Sequence, residues 1–198
     1  MKLYVTPRSP YARLARILVI EKGMADRVEI IEAKTRTVGS PYYQINPSGR
    51  VPYLMRDDGV GMEESALVCA YLDHLDGAPA FDLPPGWEAR RLEALARSML
   101  DGISVWNREL SRPEHERSPG VIRHETERAR RMADLWEGEI DSPLMRGGLN
   151  LVQMTLACAL GLEARNPEFR WRPGRPKLGQ WFDPIAARPS FAATAPHA

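Results

Sequence analysis

Three short stretches carry residue types that can do chemistry. Ser9 stands directly before Pro10 in "SPYARLARI", the arrangement favoured for a helix N-cap followed by proline at the first helical position. Either the hydroxyl only caps, or it also serves a group held near the helix's positive end. Glu64 and Ser65 open a second helical pattern, "EESALVCAYLD". Backbone N–H groups at a helix start lack intrahelical partners, so this is either a seat for an anion or a plain capped turn. The third stretch is "NPSGRVPYL", Asn46 to Leu54. Val51 to Leu54 reads as buried strand, yet Pro52 lacks the N–H that a central strand needs. Either the strand lies at a sheet edge, or Pro52 makes a special bend that leaves neighbouring backbone groups free to hold a peptide.

The elements around these stretches follow from local pattern. "KLYV" (Lys2 to Val5) reads as a strand and "TPRSP" as a turn. A helix is expected from Pro10, with Leu14, Ile17 and Leu18 on its apolar face and Gly23 as its stop. "VEII" (Val28 to Ile31) is a second strand, and Pro41 to Ile45 a short irregular helix. "VPYLM" and "GVGM" are two strands joined through Asp57-Asp58-Gly59, which suits a hairpin, and Glu64 to Leu75 is a helix. The order β-α-β-α-β-β-α makes the first two strands parallel and the hairpin antiparallel, giving a small mixed sheet with helices on both faces.

"DGAPAFDLPPG" (Asp76 to Gly86) holds three prolines and two glycines and reads as a linker. The expected division is a first domain at 1–76, a linker at 77–86 and an all-helical domain at 87–198. Leu92, Leu95, Met99, Ile103, Trp106 and Leu110 recur at helical spacing, and "SRPEHERSP" ends that run. Met132, Leu135, Trp136 and Ile140 mark a second helix, packed antiparallel across a short connection. Leu151 to Leu162 is apolar on nearly every side and should be the central buried helix.

Composition narrows the function classes. The chain has 198 residues, 43% hydrophobic and 27% charged, with a formal net charge of +1. It is an ordinary globular composition with no general attraction to nucleic acid or an anionic membrane. The arginines near Arg128, Arg130 and Arg131 alternate with glutamates as a solvated helix face does. No leader pattern precedes the first strand, and Leu149 to Leu162 is too short for a bilayer, which needs about 20 apolar residues. Cys69 and Cys158 sit in apolar helical patterns without metal-ligand spacing, so no metal and a reducing cytoplasm are expected.

Taken in order, "SPYARLARI" after the first strand, "NPSGRVPYL" before the third and "EESALVCAYLD" at the third helix resemble the glutathione transferase superfamily. "LNLVQMTLACALG" and "PKLGQWFDPIAARPSFAATAP" are similar to its helical domain. The resemblance covers nearly all of the chain. It implies a thioredoxin-like N-terminal domain, an all-helical C-terminal domain and a homodimer. It makes the Val51–Pro52 bond cis, with the Val51 N–H and C=O clamping the cysteinyl backbone of glutathione. It sets the γ-glutamyl carboxylate on the Ser65 N–H and hydroxyl, and faces Glu64 to the ligand's ammonium group. It gives the Ser9 hydroxyl to the glutathione sulfur, where a hydrogen bond and the helix dipole both favour thiolate, with Thr6 as the alternative. Neither tyrosine nor cysteine stands at position 9, and the absent cysteine argues against a glutaredoxin-like thiol–disulfide mechanism. The glycyl carboxylate needs a donor from Lys34, Arg36, Gln44 or Arg50, and Arg50 is counted with the binding residues. Arg13, one turn beyond Ser9, either shapes the pocket or dimer interface or is a surface arginine. Glu63 is a bystander.

The family's buried C-terminal helix usually begins with serine or threonine and carries aspartate three residues later. Asn150 and Gln153 stand there instead, and they can still form a cap and capping box. The expected function is a transferase that activates the glutathione thiolate toward a small hydrophobic electrophile or peroxide, in detoxification. The electrophile is expected in a cleft against the helical domain, with Tyr11, Trp106 and Arg112 as wall residues. A non-catalytic adaptor reusing the fold is the alternative.

Overall fold

The computed structural model describes residues 1–196. The chain divides into two compact units, Met1–Asp82 and Leu83–Ala198.

In the first unit β1 (Lys2–Val5), β2 (Glu29–Glu32), β3 (Tyr53–Met55) and β4 (Gly61–Glu63) form one mixed sheet in the order β2-β1-β3-β4. β1 and β2 pair in parallel, while β3 is antiparallel to both β1 and β4. β2 runs one residue later than its apolar pattern places it, because Val28 is buried below the strand start while Glu29 pairs with Lys2. Alternation along the strands sends side chains to opposite faces. Leu3 and Leu54, paired in register, are wholly buried on the face that α1 (Pro10–Glu21) and α3 (Ser65–His74) cover with Leu14, Ile17, Leu18, Val68 and Leu72. Tyr4 and Tyr53 share the other face, where Tyr4 meets Tyr42 of α2 (Tyr42–Ile45) at 5.6 Å between ring centroids. Gly61 is required there, since a Cβ would overlap the Tyr53 hydroxyl. The β3–β4 turn depends on Gly59 at φ +82°, a conformation that costs a side chain but not glycine.

Past α3 the chain does not run free. The Asp73 carboxylate, fully buried, accepts N–H bonds from Ala80, Phe81 and Asp82 at 2.8–3.0 Å. Lys22 from the end of α1 lies 3.5 Å from Asp73 and bonds Asp76 and the Ala78 carbonyl. The proline-rich segment is thus tied to the first unit as far as Asp82.

The second unit is helical: α4 (Trp87–Leu110), α5 (Pro119–Glu139), α6 (Pro143–Arg146), α7 (Leu151–Leu160), α8 (Pro176–Ala186) and α9 (Pro189–Ala193). Every residue of α7 is buried, as its uninterrupted apolar pattern requires. Leu92, Ala96, Met99, Ile103 and Trp106 of α4 are also buried. A second stripe of α4 meets α5. There Gly102 lets Glu125 approach, since a Cβ would stand 2.8 Å from its carboxylate, and Arg128 bonds the Ser98 carbonyl and hydroxyl. Leu135, spaced as a core residue, is 44% exposed, and Trp136 beside it is fully buried.

Asn150 caps α7: its carbonyl oxygen accepts from the N–H groups of Val152 and Gln153. The capping box does not form. The Gln153 amide instead donates to the carbonyls of Leu144 and Gly147, and the Asn150 amide donates to Leu144 and Gly148. Among the described residues no helix is long and apolar enough to cross a membrane.

Candidate functional site

Sheet register brings the three stretches to one end of the first unit. Tyr4 near the end of β1 pairs with Tyr53 at the start of β3, and Tyr53 pairs with Glu63 at the end of β4. The segment after β1, the one before β3 and the one after β4 therefore leave the sheet on the same side. They contain Thr6 to Ser9, Arg50 to Pro52 and Glu64–Ser65. Val5 pairs with Glu32 at the end of parallel β2, so Ala33 and Lys34 emerge there too.

Ser9 is the N-cap of α1, with extended backbone and its Oγ accepting the Ala12 N–H at 3.1 Å. Its own N–H returns to the Thr6 carbonyl, which folds the segment tightly onto the helix start. Arg13 is buried rather than a surface arginine. Burial, then the charge of Arg13, hold the half-buried Arg16 guanidinium below its ordinary value.

The Val51–Pro52 bond is cis, and Pro52 is buried. The bend removes Val51 from the ladder, which begins at Tyr53. Among the described residues the Val51 N–H and C=O make no hydrogen bond. Lys34, Arg36, Gln44 and Arg50 are all exposed. The side chains of these four make no hydrogen bond or ion pair to the described residues, and nothing separates Arg50 from the other three.

Glu64 adopts φ 77°, an uncommon conformation for a residue with a side chain, which costs about 1–3 kcal/mol and gathers at functional sites. It is the N-cap of α3, so the helix starts at Ser65 and not at Glu64. The Glu64 carboxylate folds back to accept the Ala66 N–H at 3.1 Å and the Ser65 hydroxyl at 3.2 Å. Ser65 is buried, while Glu64 is exposed.

The protein family described as Glutathione S-transferase, N-terminal domain, matches residues 3–80. Over 99% of its length the chain is 32% identical to the uncharacterized GST-like protein YibF of Escherichia coli (strain K12), covering 98% of that protein. The chain belongs to the glutathione transferase superfamily. A glutathione transferase family member from Pseudomonas fluorescens Pf-5, crystallised with bound glutathione, is 30% identical, with a TM-score of 0.86 over 100% of this chain and 99% of that one. A second crystal structure of a Pseudomonas fluorescens Pf-5 family member, with bound S-(propanoic acid)-glutathione, is 29% identical, with a TM-score of 0.84 over 100% of both chains.

One expectation changes within this transferase fold, and one residue gains a contact that was not expected. Trp106 is 1% exposed and packs edge-on against Phe169 at 6.2 Å, so it is a core residue and not a pocket wall. Glu63, set aside as a ligand residue, is engaged within the protein: its carboxylate accepts from the Ser48 hydroxyl at 2.5 Å and the Asn46 amide at 3.3 Å. Sequence spacing carries no trace of that contact, because the partners lie 15 and 17 residues apart on different segments. Its only local hint is a carboxylate ending a strand beside a loop of asparagine and serine.

Proposed function

We propose that the protein is a glutathione transferase that binds glutathione at this end of the sheet and activates its sulfur as thiolate. The observation that carries the reading is the convergence of a helix-capping serine, a Val51 backbone left outside the ladder by cis-Pro52, and the strained Glu64–Ser65 turn. An extended peptide takes its backbone bonds from such a strand edge. Val51 would pair with the cysteinyl unit. Ser65 and the start of α3 would receive the γ-glutamyl carboxylate, as helix N-termini receive anions. The Glu64 carboxylate would exchange the Ala66 N–H for the ligand's ammonium group, a charge-assisted contact. Arg50 would supply a cation for the glycyl carboxylate. Ser9 would donate its hydrogen to the sulfur, and the helix dipole would add to that preference for thiolate.

Bound glutathione and S-(propanoic acid)-glutathione in the related bacterial structures support this reading. It takes a small electrophile as second substrate, a homodimer as the assembly and the cytoplasm as the setting.

Titration calorimetry tests it. Glutathione should bind the wild-type protein, and Glu64→Ala or Ser65→Ala should each weaken it by about 1–3 kcal/mol, the cost of losing a hydrogen bond to a charged group. Turnover with aryl halides, isothiocyanates, hydroperoxides or haloacids would then identify the electrophile. A protein that neither binds glutathione nor is retained on glutathione resin would be an adaptor built on this fold.

A further inference from the structure

We propose that Glu63 is a positioning residue, one carboxylate that locks the Asn46–Arg50 loop to the end of β4 and so holds the two halves of the glutathione site in register. The inference rests on the reading of that site given above, and it concerns a residue that does not itself touch the ligand.

The halves belong to separate segments: the backbone clamp at Val51 follows the loop, and the Glu64–Ser65 turn follows β4. Glu63 is the last residue of β4, opposite Tyr53, and precedes Glu64 directly. Its Oε2 accepts from both Ser48 Oγ and Asn46 Nδ2. Each donor passes the constraint on to Arg50. Ser48 Oγ accepts the Arg50 N–H at 3.2 Å, and Asn46 Nδ2 also donates to the Arg50 carbonyl at 3.1 Å. Asn46 Oδ1 accepts the Ser48 N–H at 3.0 Å, which closes the loop on itself. The Tyr42 hydroxyl adds a 2.6 Å bond to the Arg50 carbonyl. Burial above all raises the Tyr42 hydroxyl above its ordinary value, against the opposing bond with Asn46, and Tyr53, Glu63 and Tyr4 add to the rise.

Both backbone groups of Arg50, the residue before Val51, are therefore gripped by side chains that Glu63 grips in turn. A hydroxyl that donates to a carboxylate becomes a better acceptor, so the Glu63–Ser48–Arg50 chain strengthens along its length. The Arg50 carbonyl and the Val51 N–H share one peptide plane, so the bonds that this carbonyl accepts from Asn46 and Tyr42 set where the Val51 N–H points.

The test uses the full chain in calorimetry with glutathione and in amide hydrogen exchange without it. Glu63→Ala should weaken glutathione binding about 5- to 30-fold, a smaller loss than that of a charge-assisted bond made to the ligand itself, and speed exchange at the Ser48 and Arg50 amides. Ser48→Ala should weaken binding from the other side of the same bond. The double variant should be little worse than Glu63→Ala alone, because groups acting as a unit are not additive. Glu63→Gln should stay within about threefold of wild type, since both donors reach a single oxygen that an amide still offers. Wild-type affinity in Glu63→Ala, or additive losses in the double variant, would overturn the proposal. So would a Glu63→Gln defect as large as that of Glu63→Ala, which would mean that the charge meets the ligand itself. If the wild-type protein fails to bind glutathione, the functional reading falls, and the exchange comparison alone decides whether the brace exists.

Discussion

A serine hydroxyl has one hydrogen to give and two lone pairs to receive, so Ser9 need not choose between capping and chemistry. One lone pair takes the Ala12 N–H. The hydrogen makes no bond to the described residues, and under the proposed reading it would be given to the glutathione sulfur. Substitution can still separate the roles. Ser9→Ala should cost about 0.5–2 kcal/mol of stability, whereas glycine caps nearly as well and should cost a few tenths. Both variants should raise the pKa of bound glutathione, by an amount worth about 1–3 kcal/mol, and reduce turnover more than affinity. Thiolate absorbance followed against pH is the measurement. A Ser9→Gly curve that overlays the wild-type curve would leave Ser9 as a cap alone, with Thr6 the next residue to test. The Ser9 cap was legible in the sequence because caps act over a few residues. Local pattern left Pro52 open between an edge strand and a bend, and its cis bond followed from the family resemblance. The burial of Arg13 and the grip of Glu63 were not legible, since both depend on segments that meet only in three dimensions.

Asn150 at the start of α7 makes the same point for an element. That asparagine would cap the helix followed from its place before an apolar run. That its amide would also hold the turn after α6 did not, because nothing in the spacing locates the Leu144 and Gly148 carbonyls. Helical periodicity has a similar blind spot: it set both Trp106 and Leu135 among the core positions, and Trp106 is buried while Leu135 is 44% exposed. The two halves of the Asn150 amide can be tested apart. Aspartate caps as well as asparagine and suits the helix dipole, yet it has no N–H to donate and would turn an anionic oxygen toward two carbonyls. Asn150→Asp should therefore lower stability by about 1–3 kcal/mol in chemical denaturation. If its midpoint equals that of the wild type, the amide donors contribute nothing.

Across the whole molecule, 27 basic and 26 acidic side chains nearly cancel, and many pair at the surface. Asp76 is held below the usual carboxylate range by its bond from Lys22, Asp141 by Lys177 and then Arg146, and Glu88 by Arg91. A lowered carboxylate contributes stability that is complete above its unfolded pKa and is lost as pH falls through the folded one. Lys22, raised by Asp76, works in the opposite sense: its contribution is complete below the ordinary lysine value and is lost as pH rises beyond it. These groups should leave the thermal midpoint level through neutral pH, with a decline beginning below about pH 4 and another above about pH 10.4. Scanning calorimetry across pH at low and high salt checks this. The acid limb should be shallower in high salt, which screens exposed pairs. A midpoint that begins to fall between pH 5 and 6 would show that other groups govern acid unfolding.

β2, the outer strand of the sheet, reads Glu-Ile-Ile-Glu, and among the described residues no strand pairs with its outer side. An open strand edge is a template on which another chain can grow, and two central isoleucines would reward it. If a second β2 approached head to tail about its midpoint, Glu29 would face Glu32 at one end and Glu32 would face Glu29 at the other. The glutamates thus act as gatekeepers. They set like charges against each other in the most compact mode of fibril-like growth, and so let the sheet keep an open border at high protein concentration.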